Sequence, residues 1–503
     1  MRKLITLLLM FWWSEMMAQP GFNRTYKLGE GSASFANILL HENTLVLHGT
    51  NIVNNIPPFK QAAMLLWADT NGNILQSRFY FDSTGRDFLY FYGEPFIRLK
   101  DGSGYLISVN VRKNGALMKV NPNGDVVSLT EYGDNTSITD FYRFLVETDD
   151  GFYVLGSKQR SWDYLSDVFI MKLDKKGKKK WEKSFDEPAY NLGVSSFIKL
   201  NNNSYVLGFG VSPSSAQPME QNKYWGKILL TDSLINTQSK WESIPSLEHG
   251  GIKDLRRLDN GNWSYLTDRV EVYPLEKYRV RQPKAVLRDV NFNLLSERLM
   301  GRPSGTLNNL YFITPSPDGN YISCGQMFID GDRLTQAGWI YKMNPEGDSI
   351  WSVLDTLFYI EGGYVKHYLT GTVVLPSGSV IASGRVDAYK GNAGKSWAWL
   401  LKVSKDGCVE ASNCVPVSDL ENPDNKDAFI VYPNPASTFV HFNDPAQTQW
   451  ETIEILDITG KTVLRVDEPS GNRMNVEALK NGIYFIKFTQ SNKYKIKKIN
   501  IIK

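Results

Sequence analysis

Few side chains in this sequence could act as bases, nucleophiles or metal ligands. Its 503 residues hold five histidines (His41, His48, His249, His367 and His441) and three cysteines (Cys324, Cys408 and Cys414). Proton transfer, acyl transfer and metal chemistry need such groups at set spacings, and those spacings are missing. There is no HExxH, no GxSxG after a strand, no Walker loop and no GxGxxG opening a helix. His41 and His48 flank one turn and read as exposed strand-end residues. Cys324, inside YISCG, has apolar neighbours and no base near it in sequence, the setting of a buried free thiol. Cys408 and Cys414 flank a short polar turn, and a disulfide is expected between them. Closing so short a loop stabilises by roughly 2 kcal/mol. Three cysteines without CxxC supply no zinc site, so neither a metal nor a cofactor is expected.

The remaining polar clusters point to turns and surfaces. DTNGN (from Asp69), NPNGD (from Asn121) and NPEGD (from Asn344) have the residue types of calcium loops but lack the 12-position spacing and terminal glutamate. Hairpin turns that need positive φ at glycine account for them. The basic run KKGKKK (Lys175 to Lys180) suits a solvated hairpin tip, with contact to acidic polysaccharide as the alternative. The longer segments carry Trp162, Tyr164, Tyr224, Tyr273, Tyr278, Arg279, Arg281, Asp332, Arg333 and Tyr389. That mixture suits sugars or protein surfaces, and it equally suits loops packed on one another.

These residues need a frame, and composition bounds it. A net charge of +3 removes the wide basic field of a nucleic-acid binder. Hydrophobic content of 42% supports a large core, and aromatic content of 13% favours strands.

Between the chain ends one pattern recurs: an apolar strand, a polar turn, then a second strand. It appears in MLLWADTNGNILQ, ALMKVNPNGDVV, FIMKLDKKGKKKW, KILLTDSLINTQ, AVLRDVNFNLL, WIYKMNPEGDSIW and WLLKVSKDGCVEA. Aligned five residues before the turn glycine or its equivalent, the anchors are Trp67, Lys119, Lys172, Leu230, Arg288, Lys342 and Lys402, a period near 56. Two further strands precede each anchor. Four short strands per unit at this period predict an all-β, seven-bladed β-propeller over residues 19–417. FNRTYKL (Phe22 to Leu28) matches the fourth-strand pattern and is expected to join the last blade, beside the strand after Lys402. Turns within a repeat from strand a to b and c to d are short. The b–c and d–a connections are longer and share one face, which is where binding is expected.

The chain begins with Arg2 and Lys3, an apolar stretch from Leu4 to Trp13, and a small Ala18, the pattern of a signal peptide over residues 1–18. Ten apolar residues fall short of a membrane span, and no later segment reaches that length without charges. A polar linker, residues 418–428, leads to a small β domain at 429–503 with strand patterns STFVHF, TIEILDI, KTVLRV, NGIYFIKF and YKIKKINII.

VYPNPAS (Val431 to Ser437), LDITGK (Leu456 to Lys461), LKNGIYFIKF (Leu479 to Phe488) and the finish KIKKINIIK together resemble the type A C-terminal sorting domain of the Bacteroidota type IX secretion system. The matching positions include Tyr432, Pro433, Asn434, Pro435, Asp457, Gly460, Lys461, Gly482 and Tyr484. The resemblance implies an immunoglobulin-like β-sandwich that engages the type IX translocon and a sortase-like peptidase, leaving the cargo on surface lipopolysaccharide or released. The propeller region loosely resembles secreted bacterial repeat propellers, and no activity follows from that. The expected function is a secreted or surface-anchored, non-catalytic module binding glycans or surface proteins. The alternative is a glycan-active hydrolase or lyase with its site on the long-loop face.

Overall fold

The computed structural model describes residues 21–28, 31–52, 61–81, 88–89, 96–111, 114–133, 140–159, 165–187, 190–201, 204–213, 223–244, 250–273, 278–301, 308–328, 335–357, 363–390, 393–409, 430–432, 436, 438–443, 449–457, 461–469, 471–491 and 493–501. Every regular element among them is a strand. Successive antiparallel sheets span 33–80, 88–131, 140–185, 190–242, 254–299 and 309–355. One more comprises Tyr364–Val374, Val380–Lys390 and Ala393–Val403, joined by Phe22–Tyr26. These last two sheets touch in a single parallel pairing, Gln336 with Lys366. In the second sheet the innermost strand is split into Phe88–Leu89 and Phe96–Arg98, both pairing with Tyr105–Val111.

The sheets stack through apolar faces, and each contact between neighbours has its own core. Val46 and Trp67 of the first sheet pack with Ile107 and Met118 of the second. The sequence continues through Leu117 with Val154, Leu155 with Leu207, Val206 with Val286, Leu266 with Leu310, and Cys324 with Ala382. Phe35 and Leu47 then close the circle against Ile381 and Leu400 of the last sheet. Four-stranded sheets packed face to face around a ring make an all-β propeller, as the repeat predicts.

The ring closes through the chain's first described strand, with one change from expectation. Phe22–Tyr26 pairs with the strand that contains Lys402, in the register Phe22 with Lys402 and Tyr26 with Ala398. It therefore takes the place of a fourth strand instead of lying beside one. The clasp removes an open sheet edge.

The recurring c–d turn shows why the repeat reads as it does. Its third position is left-handed in every sheet: Gly72, Gly124, Gly177, Gly347 and Gly407, but also Ile235 (φ 60°) and Phe292 (φ 65°). The fifth turn thus pivots on Phe292, four residues beyond Arg288, so that repeat's anchor shifts by one to Leu287. A side chain in this region costs about 1–2 kcal/mol. Burial offsets it: Ile235 is only 2% exposed, and Phe292 stacks between Trp263 and Trp241, with ring centroids at 5.2 and 5.9 Å. At three of the glycine turns, a tyrosine of the preceding sheet donates to the turn carbonyl, Tyr26 to Gly72, Tyr80 to Gly124 and Tyr132 to Gly177, at 2.7–2.8 Å. At the Ile235 turn the donor is Tyr153, whose hydroxyl reaches the Ser233 carbonyl at 2.7 Å, while Phe292 is met by the Trp241 ring. The anchor lysines are also explained, since Lys172 and Lys342 reach the a–b turn acids Asp150 and Asp318 at 2.6 Å.

The C-terminal residues form two sheets. One orders Ile430–Tyr432, Phe439–Asn443 and Arg473–Asn475, and the other Thr462–Asp467, Thr452–Leu456, Gly482–Gln490 and Lys493–Ile501. Val440, Phe442, Ile455, Ile486 and Phe488 share one core between them. All five expected strands are present. Two more, Ile430–Tyr432 and Arg473–Asn475, complete the sheets, and the former stops immediately before Pro433, whose missing N–H could not extend the ladder.

Candidate functional site

A cavity of about 800 Å³ opens among the third to sixth sheets of the propeller. Its walls are the beginnings of inner strands, such as Asn191–Ser195 and Asn309–Phe312, and the ends of their neighbours, such as Gly210–Ser212. In an antiparallel sheet both lie at the end served by the b–c and d–a connections. The cavity therefore faces the longer loops.

Glycine makes the opening possible. A Cβ on Gly251 would lie 2.6 Å from the Gly210 Cα, so only bare backbones can approach this closely. The Thr267 hydroxyl then donates to the carbonyls of Gly250 and Gly251, fixing that strip.

The charged groups come mainly from one long ribbon. The segment from Asp268 to Lys284 reads as an irregular loop in sequence, yet Trp263–Tyr273 and Tyr278–Arg288 pair continuously, closing at Tyr273 with Tyr278. Alternating valines give it a strand's period of two. Asp268 lies opposite Pro283 and Val270 opposite Arg281, which places Asp268 and Arg281 on one side of the ribbon. Lys253, four-fifths buried, donates to Asp268 at 2.5 Å and to Asn309 Oδ1 at 3.2 Å. Burial pushes the Lys253 ammonium below its ordinary pKa; Asp268 counteracts this and the Arg281 charge adds to it.

The Arg281 guanidinium lies 5.8 Å from the centre of the Tyr224 ring. Its Nε is buried without a hydrogen-bond partner among the described residues, as is the Ser195 hydroxyl of the neighbouring sheet. Tyr311 donates to Gln326 at 2.6 Å, and burial pushes its phenol to about 12, so it enters as a neutral donor. Beneath the cavity Asp254 ties three sheets together. It accepts from the Ser196 hydroxyl, the Ile313 amide and Arg256, and burial raises its carboxyl pKa.

Of the sequence-selected residues, Tyr224 and Arg281 line this cavity. Tyr389 lies elsewhere, stacked on Tyr364 at 4.8 Å with the Lys366 ammonium beside both rings. Tyr273, Tyr278 and Arg279 mark the ribbon's tip by their backbones, their side chains being outside the described residues, as are Trp162, Tyr164, Asp332 and Arg333 altogether. Lys253, Asp268, Tyr311 and Ser195 carried no sequence signal, since each belongs to an ordinary-looking strand or its edge.

Other expectations also meet their positions. His48 is not an exposed strand-end residue: it is 1% exposed, against Phe96, because Thr44–Ile52 is covered on both faces. His41 remains partly exposed beside Glu42. Cys324 is buried and free, and burial raises its thiol far above the reactive range. Cys408 is buried while Cys414 lies outside the described residues. The Asp69 carboxylate is engaged by its own turn, accepting from the Asn71 and Asn73 amides at 2.9 and 2.8 Å. In the sorting segment, Asp457 accepts the Lys461 amide and the Tyr484 hydroxyl donates to the Lys480 carbonyl, while Gly482 opens its strand. Pro433, Asn434, Pro435 and Gly460 lie outside the described residues, as does the Tyr432 side chain.

Residues 430–503 match the secretion system C-terminal sorting domain family. This tail implies engagement with type IX secretion machinery and export to the cell surface or extracellular space. No helix among the described residues is long and apolar enough to cross a membrane. No curated protein sequence matches the chain. Among solved structures, puromycin hydrolase is 9% identical at a TM-score of 0.45; the match covers 91% of this chain but only 58% of that enzyme. The β-propeller domain of the Trilobed protease from Pyrococcus furiosus is 10% identical at 0.36, covering 80% of this chain and all of that domain. Drosophila Semaphorin 1a extracellular domains 1-2 are 7% identical at 0.42, with 77% and 88% covered.

Proposed function

We propose that the chain is a secreted or surface-anchored, seven-bladed propeller that binds its ligand in the cavity between the third and sixth sheets. In this reading residues 1–18 are a signal peptide, 19–417 the propeller, 418–428 a tether and 429–503 an immunoglobulin-like sorting domain cleaved by a sortase-like peptidase. The Cys408–Cys414 disulfide would lock the chain where it leaves the ring, and mass spectrometry without reduction would detect the linked peptide. One observation carries the binding assignment: a concave site of ligand size combines aromatic edges with a guanidinium Nε and a hydroxyl that have no hydrogen-bond partner among the described residues.

The test is a glycan and surface-protein binding screen on the full chain, run beside Ser212→Trp, which places an indole in the cavity. A ligand lost on that substitution supports the assignment, whereas ligands bound equally by both proteins would refute it. The second reading, a glycan-active hydrolase or lyase, draws on Asp268 in the cavity wall. It requires a second acid within about 5–10 Å and predicts release of new reducing ends that Asp268→Asn abolishes.

A further inference from the structure

We infer that the cavity selects a carboxylate-bearing sugar, the acid group seated on Arg281; this rests on the proposed binding role. Three observations converge. First, the cavity's charges do not balance. Lys253 is matched by Asp268, whereas Arg281 has no carboxylate partner among the described residues. Second, the Arg281 Nε is already out of water without an acceptor among the described residues, a state costing free energy until an anion arrives. A guanidinium offers several N–H donors in a plane matched to a carboxylate, and the Tyr224 ring lies beside this one at 5.8 Å. Third, the rest of the wall suits a hydroxylated ring. Ser157, Ser166, Ser212 and the unpartnered Ser195 provide short hydroxyls, while Tyr311 and Phe312 provide aromatic surface. A peptide carboxylate would satisfy Arg281 but leave those hydroxyls facing aliphatic side chains.

Calorimetry on the full chain decides the matter, using a galacturonic acid trisaccharide and the same trisaccharide after carboxyl reduction. The acid form should bind at least about tenfold more tightly. Arg281→Gln should erase that difference, and Arg281→Lys should recover part of it. Raising salt should weaken the acid form alone. A free monosaccharide acid separates recognition of a single residue from recognition of a chain. Equal binding of both trisaccharides, with sensitivity to Ser212→Trp, would overturn the acid preference and leave the binding role intact. No binding of either trisaccharide, or preference for a peptide with a free C-terminus, would overturn the inference. If no screened ligand responds to Ser212→Trp either, the binding role falls too. The reduced trisaccharide needs no altered protein, so poor folding of an Arg281 variant would not obscure the result.

Discussion

The side-chain oxygen of Asn23 accepts the indole N–H of Trp399 at 2.6 Å, joining residues 376 positions apart. The Asn23 amide donates in turn to Asp355 at 2.9 Å. One side chain thus ties the N-terminal strand both to its own sheet, through Trp399, and to the preceding sheet, through Asp355. Asn23→Ala should lower stability by about 2 kcal/mol, because it strands a buried indole donor and releases a charge-assisted bond. Denaturant titration measures this, and a change under about 0.3 kcal/mol would show the clasp to be dispensable.

The left-handed Ile235 and Phe292 give opposite signs to two effects. Replacing either with glycine removes a backbone penalty of about 1 kcal/mol but also a packed side chain, buried at Ile235 and half-buried between two rings at Phe292, worth about 2–4 kcal/mol. Both glycine variants should therefore be less stable, by about 1–3 kcal/mol. Increased melting temperatures would mean that strain outweighs packing at these turns.

Two buried histidines set an acid limit. Burial lowers both His48 and His367 to about 4 from the ordinary 6.5. Among the described residues His48 has no hydrogen-bond partner on either ring nitrogen. His367 accepts the Leu357 amide at Nε2, at 2.9 Å, and its Nδ1 lies 2.8 Å from the Gln336 carbonyl, so added charge would face an N–H. With the folded value below the unfolded one, the unfolded chain takes up protons first. Stability is full above about pH 6.5 and falls as pH drops toward 4, by on the order of 3 kcal/mol per histidine. His48→Leu should flatten that decline without loss at pH 7.5; an unchanged slope in denaturant titrations from pH 7.5 to 4.5 would contradict it.

Deleting residues 429–503 should retain the protein in the periplasm, because the match to a sorting domain lies wholly within that segment. Surface labelling of intact cells checks this, and undiminished display would remove the sorting assignment.

What was readable in the sequence follows from how locally each feature is encoded. Asp69 to Gly72 or Asn344 to Gly347 writes a turn within a few residues, so repeat length, strand order and the closing strand could be inferred. Ile235 and Phe292 obscured the same turn because their support comes from rings on other strands. The cavity is less legible still. Lys253, Asp268 and Tyr311 lie on separate elements, and only packing of the sheets brings them together. Arg281 was visible as a loop residue, but the strand pairing that aims it was not. The burial of His48 is not legible either, because a turn-flanking position says nothing about what covers the strand's second face.

The stitching of the first strand to the last has a further consequence for a protein exposed to foreign proteases. In a circle held at every joint by packing, one severed connection frees no fragment, since each piece still grips a neighbour on either side. A nicked molecule should migrate as two bands under denaturing conditions yet remain a single particle in native ones, and damage would take hold only once a second cut isolates a sector.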